Sequence, residues 1–186
     1  MNIKRLTLDS IALAILIISA YISIPVTEIT YTLQVLVVLL LAFLLPVSDA
    51  IIINVIYILI GLLGLPVFSS FKGGIFYIFN PSFGFLIGFI FVPIVKGLIY
   101  ILPINKELTK QVLTSIISIL IIYLIACIYF YLIQKYYFGN SINYIYVITI
   151  VVMPYILVDI LKITAAILIA NKLKPIIKQK GLLWKS

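Results

Sequence analysis

Long apolar runs alternate along the chain with short breaks rich in proline, glycine and lysine, at the spacing of membrane helices. Six apolar segments emerge, at about residues 6–24, 32–45, 49–63, 81–102, 108–136 and 142–173. Pro25 and Pro46 close the first two and Pro81 opens the fourth, because proline suits a first helical turn and stops a helix that runs into it. The second and third segments, about 14 and 15 residues long, fall short of the ~20 residues that cross a bilayer and need tilt or shelter from neighbours. The short alternating strands of a membrane barrel are absent. The pattern predicts an all-α integral membrane protein with six transmembrane helices, forming a single six-helix domain over residues 1–186.

Composition agrees. Hydrophobic residues make up 65% of the chain and charged residues 10%, against ~25% charged in a soluble domain. The first residues pair a basic start with an apolar run but carry no Ala-x-Ala cleavage pattern, so they read as a retained first helix. The net charge of +8 finds its explanation in topology and needs no nucleic-acid partner. With the N-terminus inside, the inner side holds nine basic residues: Lys4, Arg5, Lys106, Lys110, Lys172, Lys174, Lys178, Lys180 and Lys185. The outer side holds two, Lys72 and Lys135, which predicts an N-in, C-in arrangement. The basic tail suits anionic lipid headgroups. Tyrosines around the outer connections, among them Tyr21, Tyr31, Tyr129, Tyr131, Tyr137 and Tyr144, suit the membrane interface.

Two features break the apolar pattern. The first is the second outer loop, residues 64–80, which is interrupted by Gly-Leu-Pro, Lys-Gly-Gly and Asn-Pro yet stays hydrophobic. Irregular backbone at membrane depth survives only when buried in protein or lining a cavity, so the loop is expected to fold down and cap an outward-facing ligand pocket. Gly73 and Gly74 permit the close approach this needs. The second feature is Asp159 and Lys162, which share one face of the last segment at i,i+3, about 20 Å from either end. Charges at that depth mark a functional site unless they serve only to pin helices to each other. Gln34, opening the second helix, faces the outer side and is a further candidate to line the pocket. Asp9 and Asp49 are expected to cap inner helix ends, and Lys96 to reach the inner surface along its stem.

The chain has no histidine and a single cysteine, Cys127, and offers no nucleophile beside a base and no carboxylate cluster for a metal. An intramembrane enzyme is therefore disfavoured. A small channel would need rings of polar residues, which the lone charge pair does not supply.

Four motifs resemble one family. IPVTEITYTLQVLVVLL carries a proline, a short loop and Thr-Leu-Gln opening a helix. GLLGLPVF contains Gly-Leu-Pro-Val-Phe, KGGIFYIFNPSFGFLIGF contains a Gly-Gly loop and an Asn-Pro turn, and VDILKITAA contains Asp-x-x-Lys. From about Pro25 to Ala170 the chain resembles the biotin-specific substrate-binding subunits, BioY, of energy-coupling-factor (ECF) transporters. The resemblance implies six helices, high-affinity biotin binding at the outer side, and docking on an ECF transmembrane coupling subunit energised by two ATPase subunits in a prokaryotic plasma membrane. It implies that Asp159 and Lys162 contact biotin and that Lys72, Gly73, Gly74, Asn80 and Phe85 shape the pocket. Some members carry a basic residue where Leu86 stands, so Lys72 is expected to supply that charge here. Ser82 stands for a usual threonine. The small-residue face by which such a first helix meets its partner is degraded at Ala12, Leu16 and Ala20, which points to Ser10 and Ala14 instead. A sister subunit for thiamine or riboflavin is the nearest alternative. No G-x-x-x-x-G-K-[ST] loop occurs, so ATP-driven work must come from other chains. No cofactor is expected in the chain itself, with biotin as its ligand.

Overall fold

A computed structural model describes residues 3–25 and 29–179. Lys180 and Lys185 lie outside the described residues, as do the side chains of Lys4 and Lys178. The chain runs α1 (Ile3–Tyr21), β1 (Ser23–Pro25), β2 (Thr30–Thr32), α2 (Gln34–Leu44), α3 (Val47–Leu62), α4 (Phe83–Ile101), α5 (Glu107–Leu132), α6 (Tyr144–Val151) and α7 (Ile156–Gln179). By length and composition two of these helices can cross a membrane, α4 and α5 with its extension to Tyr137, or three if the bent α6–α7 pair counts as one span.

The departures from the predicted segments have local causes. The connection after α1 is an antiparallel hairpin, β1–β2, pairing Ser23 with Thr32 and Pro25 with Thr30. It takes Thr32 out of the second segment. Helix α2 therefore has only 11 residues, about 16 Å at 1.5 Å per residue, too short to cross a bilayer alone. It survives as a core helix, buried along most of its length and packed against α7, α4 and α1. The fourth helix begins two residues after Pro81, because the Asn80 side-chain oxygen takes the Ser82 N–H at 2.9 Å and the chain turns there.

The sixth segment is two helices bent by 43° around residues 152–155. Pro154 donates no N–H and disfavours helical backbone at the residue before it. The break is held from both sides. The Tyr31 hydroxyl donates to the Pro154 carbonyl at 2.5 Å, and the Tyr155 hydroxyl donates to Ile29 at 2.8 Å, with the two rings 4.3 Å apart. The hairpin is thus tied to the start of α7.

Asp9 and Asp49 do not cap helices. Asp49 lies in the first turn of α3 without a capping bond and pairs with Arg5, while Asp9 lies in the second turn of α1. Arg5 reaches Asp49 with both Nε and Nη2, a better use of a buried carboxylate than one backbone N–H. Lys96 donates to Leu45 O at 3.4 Å over the Tyr100 ring.

The α4–α5 contact is the most extensive in the molecule. It closes on Gly84, where a Cβ would lie 2.6 Å from the Tyr129 Cβ and 3.0 Å from the Ala126 Cα. Gly84→Val is therefore expected to force α4 and α5 apart, at a loss of about 1–3 kcal/mol or more from overpacking. A melting temperature in detergent unchanged from the native chain would refute that packing.

Candidate functional site

At one end of the bundle the connection between α3 and α4 folds back over the helices as two 3-10 turns, Ser69–Phe71 and Ile75–Phe79. Phe68 is the anchor. It is fully buried, stacks on Tyr77 at 4.3 Å and meets Tyr57 edge-on at 5.5 Å. Gly61 makes room for it, since a Cβ there would sit 2.1 Å from the ring. Polar ties add direction: Tyr57 donates to Val67 O at 3.0 Å, and Ser69 and Tyr77 share a hydrogen bond of 3.1 Å. Ser70 and Phe71 both adopt positive φ, 59° and 58°, a strained conformation for side chains of this kind. The surroundings hold it in place, with Phe71 stacked on Tyr21 at 4.3 Å and Tyr21 donating to Pro66 O at 2.8 Å.

Beneath the loop lies a partly enclosed cavity with about 30 Å³ of free space, about the share of one water molecule and well below the ~300–1,000 Å³ of small-molecule sites, so a vitamin-sized guest must displace the side chains that line it. Ser69 and Tyr77 form its roof, Phe85 and Phe89 an aromatic wall, and Asp159 and Lys162 its charged side. The charges are 3% and 6% exposed, so each must be satisfied inside the protein. Lys162 Nζ donates to Asp159 Oδ1 at 2.8 Å and the Tyr123 hydroxyl donates to Oδ2 at 2.6 Å. The break before α7 contributes as well. It puts Asp159 in the first turn of that helix, where the unpaired N–H groups and the helix dipole favour a carboxylate. Lys162 keeps two donors and each Asp159 oxygen a further acceptor position, so the pair can still bind a guest.

Four predicted residues meet at this cavity: Asp159, Lys162, Phe85 and Gln34. Gln34 is fixed by its Nε2, which donates to Tyr57 at 2.8 Å, and its Oε1, which accepts from Thr32 at 3.1 Å. Lys72, Gly73 and Asn80 instead line a separate open groove on the outer face of the loop, with Phe76 and Tyr137. Phe68 and Lys72 oppose each other across a one-residue bridge, with Phe68 N donating to Lys72 O at 2.9 Å; Phe68 turns in and Lys72 turns out. The expectation that Lys72 replaces a charge at Leu86 does not fit this geometry, because Leu86 lines the cavity and Lys72 does not. Gly73 passes against the Leu65 carbonyl, which a Cβ would meet at 2.2 Å, and Gly74 takes φ 100°. Both shape the loop. Asn80 holds the start of α4. Ser10 and Ala14 lie exposed on α1, whereas Ala12, Leu16 and Ala20 face the core.

Sequence reasoning missed Tyr123, Tyr77, Tyr155 and Thr32. Tyr123 carried a signal: it lies mid-span, where a tyrosine cannot belong to the interface and needs a buried partner.

A capped cavity with a buried charge pair, set in a bundle of apolar helices of which two or three can cross a membrane, describes a helical membrane protein with an internal polar site. The fold matches the crystal structure at 2.1 Å of the S-component for biotin from an ECF-type ABC transporter, with a TM-score of 0.78, 21% identity, and coverage of 93% of this chain and 92% of that one. The chain belongs to the BioY family, whose profile matches residues 1–179. It is 33% identical over 162 residues to the probable biotin transporter BioY of Lysinibacillus sphaericus, spanning 86% of this chain and 81% of that protein. It is also 33% identical over 172 residues to the biotin transporter BioY of Thermotoga maritima, spanning 92% and 96%.

Phe68→Ala should remove the loop's anchor and destabilise the fold by about 3–5 kcal/mol. It should also open residues 64–80 to protease cleavage; a loop still protected in that variant would show that it is held by other contacts.

Proposed function

We propose that this chain is the high-affinity substrate-binding membrane subunit for biotin uptake, a multi-pass protein of a prokaryotic cell membrane. It works docked on an ECF energising module, a transmembrane coupling subunit with two ATPase subunits. One observation carries the reading: a charge pair, stabilised by Tyr123, faces a capped cavity in a chain of the BioY family. The BioY family is a transporter family and not an enzyme family. Biotin's polar groups suit the free donors of Lys162 and free lone pairs of Asp159, and its fused rings suit Phe85, Phe89 and Tyr77. Thiamine, a cation, would find only one carboxylate, already paired, among the described lining residues.

In this reading all six segments cross the membrane, α2 with help from the hairpin. The capping loop and hairpin lie outside; Lys110 and Lys174, which bind Tyr100 O at 3.1 Å and Glu107 at 2.7 Å, lie inside. The exposed Ser10 and Ala14 face of α1 meets the coupling subunit, where small residues let helices approach closely. Lipids cover the remaining apolar faces.

Biotin is expected to raise the melting temperature of the purified protein, whereas thiamine and riboflavin leave it unchanged. Removing one charge alone leaves the other buried and unpaired, at about 3–5 kcal/mol. The decisive variant is therefore the double change Asp159→Asn with Lys162→Met, which should fold and no longer respond to biotin. A retained response would sink the assignment of the pair. For topology, a cysteine at position 72 in a Cys127→Ala background should react with an impermeant thiol reagent applied to whole cells, and one at position 106 should not. The opposite labelling would invert the arrangement.

A further inference from the structure

The cavity has no net charge. Among the described residues Lys162 is the one cation and Asp159 the one anion that line it, and the two are already bonded at 2.8 Å. A carboxylate approaching Lys162 must also approach the Asp159 oxygens, so the attraction of the ammonium is largely offset by the neighbouring charge. A neutral acyl group loses nothing by this arrangement, because its carbonyl accepts from Lys162 as a carboxylate oxygen would, and a primary amide turns an N–H toward Asp159 on the same edge.

A second cavity begins where the first ends. A groove of about 390 Å³ runs between the β1–β2 hairpin and α7, walled by apolar side chains including Ile24, Leu33 and Val158. Thr32 and Lys162 line both spaces. A ligand whose acyl carbonyl rests on Lys162 therefore has its far end at the mouth of this groove, and the groove wall offers an extension apolar surface.

Resting on the proposed biotin site, we infer that the subunit also takes biotin derivatives amidated at the tail, with the ring system under the loop, the acyl oxygen on Lys162, and an apolar tail extension in the hairpin–α7 groove. The substrate class is thus wider than the free acid. It comprises neutral, tail-extended forms of the same ring.

The test is equilibrium binding to the purified full-length chain in detergent, with biotin, biotinamide and biotin N-butylamide. Both amides should bind within about tenfold of biotin, since no net charge distinguishes them. Val158→Phe, which fills the groove, should weaken the N-butylamide by more than about tenfold and leave biotin and biotinamide within about twofold. Ile24→Trp, on the opposite and exposed wall, should act in the same direction. The inference is overturned if biotin binds and either amide is weaker by more than about a hundredfold. It is equally overturned if groove-filling variants weaken all three ligands alike or none of them. If biotin itself fails to bind the native chain, the functional reading falls first and this inference with it.

Discussion

An ion pair inside a membrane protein is a constraint before it is a site. The Asp159–Lys162 pair is almost fully buried, and desolvating two charges costs several kcal/mol per ion even after relaxation. Three arrangements offset that cost. The charges neutralise each other at 2.8 Å, Tyr123 donates across from α5, and α7 begins just before Asp159 so that a helix N-terminus faces the carboxylate. The last of these requires a helix to start within the sixth apolar segment. That in turn requires a break in the sixth segment, which Pro154 supplies.

A broken helix exposes backbone groups that lipid cannot satisfy. Here the protein meets them with the hairpin, whose Tyr31 donates to Pro154 O, while Tyr155 returns a bond to Ile29. The hairpin shortens α2, and the short α2 becomes a buried strut whose first residue, Gln34, ties Tyr57 and so the capping loop. One chain of dependence therefore runs from the charge pair through the break, hairpin and α2 to the loop above the cavity. The strain at Ser70 and Phe71 belongs to the end of that chain, where the loop must turn Phe68 inward within a few residues.

Much of this was legible in the sequence, and the remainder was hidden for identifiable reasons. Hydropathy marked each apolar segment, because membrane helices need long runs that nothing else explains. Asp159, Lys162, Phe85 and Gln34 were readable because polar or aromatic residues at depth need partners, and all four line the cavity. The hairpin was not readable: three-residue strands carry too little period, and Pro25 suggested a helix end with no indication of pairing. Lys72 misled for a related reason. Proximity to Gly-Gly placed it in the right loop, but the inward or outward sense of a side chain depends on the bridge between Phe68 and Lys72, which only backbone geometry reveals. Tyr123 went unread although it lies within the fifth apolar segment, away from the tyrosines that cluster at the outer connections.

The two sides of the cavity are built differently, and this bears on how a ligand could enter. On one side α4 and α5 close at Gly84 to backbone distance, and the inner face of α5 adds buried Gln111, Thr114, Ser115 and Ser118, with Gln111 donating to Asn171 at 2.8 Å. Such a seam of close backbone contact leaves little room to shift. On the other side the hairpin is two three-residue strands, and its ties to the start of α7 include two tyrosine hydroxyls and the contact of the Tyr31 and Tyr155 rings. Separating that side would unseat the buried Ile29 and Tyr155 and break their polar ties, whereas separating α4 from α5 would open a seam closed to backbone distance at Gly84. The wall that holds Phe85 and Phe89 is thus backed by the close α4–α5 seam, whereas the wall that carries Thr32 and faces Lys162 is built on the short hairpin.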